Sequence, residues 1–314
     1  MNFLSLVQQV RIFAIAAMLT TSGFAATATA QSPEQPSATT DAPEPPEGSV
    51  GGFGDINLFP KRVVIDGRRQ IATVGLYNKT ANEGDYEISV VDMAMTPEGQ
   101  LVPFSNGLTE QQKGGVKTAS PFLRYSPRRV TLRGSESQVV RIMARASSDI
   151  APGEYRSHFN VTAVPRGDVG GFSIDDAVGG TEQSGIGVTI RPRFGISIPV
   201  IVRIGETTLD VGIREAALLT AQDGSQAVGI ILTRSGTRSA FGDIVVTTDG
   251  SDLPVTSARG VGVYPEVAER RIILPINPEF DRNLLISGRT LSITYTDDDV
   301  EPGKTLAEHS LIVP

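Results

Sequence analysis

The sequence predicts an all-β protein of two immunoglobulin-like β-sandwich domains in tandem, and three observations predict it. Apolar residues fall in short period-two segments between turn signals spaced about 8 to 12 residues apart, the signature of a sandwich. Hydrophobic residues make up 39% of the chain but aromatics only 6%, and Trp is absent. The cores must therefore rest on Val, Ile and Leu, which suit a pleated, half-buried surface. Finally, 314 residues exceed one ordinary domain, and 33 Gly with 20 Pro supply many turns.

The first element is a secretory signal. Arg11 precedes the apolar run Ile12 to Leu19, and small residues lead to Ala28-Thr29-Ala30, with cleavage expected after Ala30 or Ala28. The run is shorter than the ~20 residues a bilayer span needs, so an exported product without a membrane span is expected after signal removal. Residues 31–52 follow as a Pro-rich acidic leader, QSPEQPSATTDAPEPPEG at its start, with nothing to pack and therefore disordered.

From Phe53 short strands are expected at Val63–Ile65, Ile71–Tyr77 and Tyr86–Val90, then a turn at Thr96-Pro97-Glu98-Gly99 and a mobile polar loop from Ser105 to Lys117. Three more follow at Phe122–Tyr125, Val130–Leu132 and Val139–Met143. Ala151-Pro152-Gly153-Glu154-Tyr155 opens the strand Tyr155–Val164, and a Tyr at a strand entry suits the tyrosine corner of immunoglobulin-like folds. The Gly-rich acidic stretch after Pro165 is expected to be a flexible loop, and Arg166-Gly167-Asp168 within it a chance match to an adhesion motif. Between Ile186 and Val202 apolar residues and Pro192 occupy every second position, which predicts one long strand of about 50 Å, either bending between domains or projecting as an edge strand. Such a strand exceeds one sandwich. It divides a first domain, 53–204, from a second, 205–314, whose shorter segments include Val228–Leu232, Ile244–Thr247, Arg271–Pro275, Leu291–Tyr295 and Ser310–Val313.

Four colinear segments carry a resemblance. They are Lys61-Arg62-Val63-Val64-Ile65-Asp66-Gly67 with Ala72-Thr73-Val74-Gly75-Leu76-Tyr77-Asn78; Ser126-Pro127-Arg128-Arg129-Val130-Thr131-Leu132; Gln138-Val139-Val140-Arg141-Ile142; and Gly153-Glu154-Tyr155-Arg156-Ser157-His158. Together they resemble the PapD-like periplasmic chaperones of pilus and fimbrial assembly, in their long-loop branch. The resemblance is fainter beyond Gly205. It implies a periplasmic, non-enzymatic chaperone that lends an edge strand to an incomplete pilus or fibre subunit, a mode of recognition by strand addition. Ile186, Val188 and Ile190 are then the donor side chains. Two basic residues implied to hold the subunit's C-terminal carboxylate would be Arg62 and Arg193, or Arg191 in its place; a guanidinium can do so bidentately. An outer-membrane usher and a self-capping dimer are left open. The alternative is a surface or periplasmic immunoglobulin-like module with a structural or adhesive role.

Other chemistry has little footing. Cys is absent, which excludes disulfides and thiolate sites, and the formal charge of −7 argues against a nucleic-acid partner. The two His, His158 and His309, fall in different domains without ligand-spaced partners, so neither a catalytic triad nor a zinc site is expected. Asp297-Asp298-Asp299 with Glu301 offers hard oxygens for Ca²⁺, yet lacks the spacing of a known cage and reads as a solvated turn. No cofactor is expected.

Overall fold

A computed structural model describes residues 50–51, 55–165, 172–173, 189–190 and 193–314. The signal, most of the leader, Arg166-Gly167-Asp168, Ile186, Val188 and Arg191 lie outside the described residues. Among the described residues, fourteen strands precede residue 205: β1 (Val50–Gly51), β2 (Ile56–Phe59), β3 (Val63–Asp66), β4 (Ile71–Asn78), β5 (Gly84–Val91), β6 (Met93–Met95), β7 (Leu101–Pro103), β8 (Leu123–Ser126), β9 (Arg129–Leu132), β10 (Ser137–Ala144), β11 (Gly153–Val164), β12 (Phe172–Ser173), β13 (Thr189–Ile190) and β14 (Gly195–Ile204). They form two five-stranded sheets, β1-β2-β4-β10-β8 and β3-β14-β11-β5-β9, with two small hairpins, β6-β7 and β12-β13.

Alternation builds the core between these sheets. Along β10, Val140, Ile142 and Ala144 are buried while Val139 faces out, and along β4 Val74 and Leu76 meet them from the neighbouring strand. Tyr155 closes the corner before β11, its hydroxyl donating to the Ala151 carbonyl at 2.9 Å, the tyrosine-corner bond. Asn78 fastens the opposite end. Its amide donates to the carbonyls of Asn82, Leu132 and Arg133, and its Oδ1 accepts from the backbone and hydroxyl of Thr80. Because Asn78 is fully buried, Asn78→Ala should cost about 2 kcal/mol by orphaning those carbonyls, read as a lower urea midpoint; an unchanged midpoint would show that water replaces the bonds.

Seven strands follow: β15 (Leu209–Thr220), β16 (Gln226–Gly236), β17 (Ala240–Thr248), β18 (Thr256–Val263), β19 (Glu269–Pro275), β20 (Thr290–Asp297) and β21 (Thr305–Ile312). They form the sheets β15-β16-β19 and β18-β17-β20-β21 around a second core that includes Leu232, Ile244, Val246, Leu274, Ile293 and Tyr295. The chain is thus all-β, with two immunoglobulin-like sandwiches.

Three expectations change. The long strand does not run unbroken from Ile186: β13 ends at Ile190, Arg193 and Phe194 belong to no strand, and β14 begins at Gly195. The intervening sequence holds Pro192, which cannot donate to a ladder. Val50 and Gly51, placed by sequence in the leader, pair with Leu58 and Asn57. Within the polar loop, Glu110–Gly114 forms a short helix, α1, because Thr109 and Gln112 make a reciprocal capping box.

Candidate functional site

The ladder on β14 is uneven. Along its whole length it pairs antiparallel with β11, but on its other side β3 pairs only with Val200 to Arg203. Backbone polar groups alternate sides along a strand. The Arg203 carbonyl accepts from Gly67 and the Phe194 carbonyl from Ala163. Odd-numbered residues of β14 therefore point their backbone groups at β3, and even-numbered ones at β11. Beyond the end of β3, Pro199, Ser197 and Gly195 face an edge that no strand covers among the described residues. Pro199 contributes only a carbonyl there.

The side chains of β14 change environment over the same stretch. Val202 and Val200 are fully buried, Ile198 is 1% exposed, Ile196 is half-buried and Phe194, just before the strand, is 50% exposed. One apolar face thus runs out of its own core toward the uncovered end.

At the opposite end of β14 the two sandwiches meet over an open cleft of about 800 Å³, lined by Lys61, Arg62, Arg203 and Asp299 among others. Arg62 Nη2 donates to the Asp298 carbonyl and, at 2.7 Å, to its Oδ1; Arg62 Nε lies 3.7 Å from Asp299. The same guanidinium sits 4.6 Å over the Phe241 ring. Lys61 Nζ reaches the other Asp298 oxygen, Oδ2, at 2.5 Å. Arg203 joins Asp299 to Glu154, its Nε 3.1 Å from Glu154 Oε2, and Glu154 Oε1 accepts from Ser239. Burial opposes the charge on Arg203, but Asp299 and Glu154 outweigh it and hold its pKa above the ordinary value. Burial also pushes the Asp298 carboxyl upward, and Arg62 and Lys61 more than reverse that, leaving it below the usual carboxylate range.

A second set of contacts lies beside the first. Arg156 of β11 grips Glu266 with two bonds of 3.0 and 2.6 Å, donates to the Met93 carbonyl, and stands 3.5 Å over the Tyr264 ring. Met95, Ile201, Phe241, Tyr264 and Val267 form a small apolar cluster alongside. His158, fully buried, meets Tyr264 edge to face at a centroid distance of 6.1 Å.

No family model matches the sequence, and no curated protein does either. Among solved structures, the YadV chaperone is 12% identical with a TM-score of 0.41, over 82% of this chain and 100% of that one. The E. coli chaperone DraB is 12% identical with a TM-score of 0.40, over 82% of this chain and 96% of that one. The SafA pilin–SafB chaperone complex of Salmonella enterica gives 13% identity and 0.39, over 84% and 98%. Two of these neighbours are chaperones and the third is a chaperone bound to a pilin. Superpositions this loose assign no family.

The geometry does not bring the two expected anchor residues together. Arg193 lies ten positions before Arg203, exposed, and pairs with Glu87 at 3.0 Å. The basic residue of β14 that reaches the Arg62 cleft is Arg203, not Arg193. Of the expected donor residues, Ile190 pairs its backbone with Phe172 in the β12-β13 hairpin, and Ile186 and Val188 lie outside the described residues. Asp298 and Asp299 form no solvated turn: their side chains are 15% and 5% exposed and face Lys61, Arg62 and Arg203. Asp297 shapes that turn by accepting from the backbone of Asp299 and Glu301. Among the described residues no group of three or more His, Cys, Asp or Glu is placed to hold a metal ion, and no helix is long and apolar enough to cross a membrane.

Proposed function

We propose that the chain is an exported periplasmic chaperone for pilus or fibre subunits that lends the uncovered edge of β14 to an incomplete partner. The observation that supports this most directly is the coincidence of two features over Phe194 to Pro199. The backbone edge lacks a neighbouring strand among the described residues, and the apolar face emerges from its own core at the same place. Exposed edges of this kind are ordinarily blunted by charge or cover because they recruit other chains; here the edge carries aliphatic and aromatic side chains. An incoming strand would satisfy the backbone of Gly195 and Ser197, while Ile196 and Phe194 would fill the partner's groove. Each such side chain contributes roughly 1.5 to 3 kcal/mol when fully buried.

In this reading the partner's terminal carboxylate goes to the cleft, to Arg62 with Arg203 in the place first given to Arg193. The role requires no turnover and no cofactor. Phe194→Asp is the direct test, because Phe194 is half exposed and its loss leaves the protein's own core intact. Co-expressed with a candidate pilus subunit, the wild-type chain should give a soluble complex. The variant should reduce the recovered complex at least tenfold. Undiminished recovery with the variant would remove the strand-lending role and favour a structural or adhesive module.

A further inference from the structure

The carboxylate-anchor reading leaves a question of charge. Lys61, Arg62 and Arg203 meet Asp298, Asp299 and Glu154, three cations against three carboxylates. A further carboxylate entering with all six in place would make the cluster negative, in a cleft where burial already penalises unbalanced charge.

We infer that Asp298 is an internal competitor for Arg62, occupying the position a bound carboxylate would take and setting which carboxylate ligands can enter the cleft. This rests on the anchor reading above for its biological meaning, but the contact itself stands on geometry. One oxygen of Asp298 accepts from Arg62 and the other from Lys61. That is how a ligand carboxylate would bridge two adjacent cations, with charge-assisted bonds to both oxygens. Its carbonyl takes a further Arg62 N–H, so one residue engages the guanidinium twice.

The carrier of Asp298 suits an exchangeable group. It sits in the connection between β20 and β21, after Asp297 has fixed the turn by accepting two backbone N–H groups. The Asp298 backbone N–H is separately tied to the Phe241 carbonyl. Neither of these bonds involves the Asp298 carboxylate, so the side chain can swing from Arg62 without dismantling the turn. At 15% exposure it borders solvent. Asp299, at 5%, is instead committed to Arg203 and the more deeply buried Glu154 pair. Exchange is therefore assigned to Asp298 alone. A ligand able to displace it must present two oxygens at once; an amide or a single hydroxyl would lose to a resident carboxylate.

The test uses acetate and the Arg62 Nε–Hε resonance of the full chain, wild type against Asp298→Asn and Asp298→Ala. The alanine variant guards against the asparagine oxygen retaining the Arg62 bond, and unchanged backbone amide spectra report intact folding. Both variants should bind acetate about tenfold more tightly than wild type at low salt, with acetamide shifting the resonance in none of the three. Equal or weaker acetate binding by the alanine variant would overturn the inference. If acetate binding tightens as expected but a peptide with a free terminal carboxylate does not compete for the cleft, the internal competitor stands and the client-anchor reading falls.

Discussion

Arg156→Met should destabilise the protein by about 3 to 5 kcal/mol, the loss expected when one member of a buried ion pair is removed and the other stays behind. The side chains of Arg156 and Glu266 are 2% and 6% exposed, so Glu266 would be left without its partner in a site with little water. The loss extends beyond one pair: the same guanidinium bonds the Met93 carbonyl and stacks on Tyr264, and all of these lie where β11 meets the second sandwich. Urea denaturation should show the effect as a lower midpoint. Combining Arg156→Met with Glu266→Gln should recover at least half of it, because Gln keeps an acceptor for the Met95 N–H now bound to Glu266 at 2.9 Å while removing the unpartnered carboxyl. A midpoint equal to wild type for the single variant, or a double variant worse than the single, would contradict this assignment.

The fold was legible because alternation survives wherever one face of a strand is buried. Val140 and Ile142 on β10, or Leu291, Ile293 and Tyr295 on β20, read from sequence as they sit in the structure. β15 escaped notice for a definite reason. Leu209, Val211 and Ile213 keep one parity and Ala216 and Leu218 the other, since the register shifts between Arg214 and Ala217 and Glu215 takes a positive φ of 52°. A bulge of this kind moves the apolar set by one residue and erases the period-two signal.

The site was only half legible, and β11 shows why. In Glu154-Tyr155-Arg156-Ser157-His158-Phe159, Phe159 points into the first core, whereas Glu154, Arg156 and His158 are buried and meet residues of the second sandwich. Polar residues at three successive alternate positions of a strand mark a polar face. Alternation states that they share a face; it does not say which distant residues, here Ser239, Glu266 and Tyr264, will cover that face. Arg203 was missed for a related reason. Distance along the strand from the expected donor residues favours Arg193, whereas it is Asp299, from the connection after β20, that Arg203 and Arg62 both reach.

His158 makes that interface sensitive to acid. Burial, with a smaller contribution from the neighbouring Arg156, lowers its pKa from 6.5 to about 3 in the folded protein, and neither ring nitrogen has a hydrogen-bond partner among the described residues. Above pH 6.5 the imidazole is neutral in both folded and unfolded chains and adds no pH dependence. As the pH falls below 6.5, the unfolded chain takes up a proton that the folded chain refuses, so stability declines until the folded pKa is reached. The slope is about 1.4 kcal/mol per pH unit, which gives roughly 2 kcal/mol between pH 6.5 and pH 5, before carboxylates begin to protonate. His158→Phe removes the titrating group while keeping a ring against Tyr264, and its denaturation midpoint should lose that part of the decline. If wild type and variant instead lose stability in parallel across this window, His158 either finds a partner for its proton inside the folded protein or is reached by water, and the sandwich interface is not the acid-sensitive element.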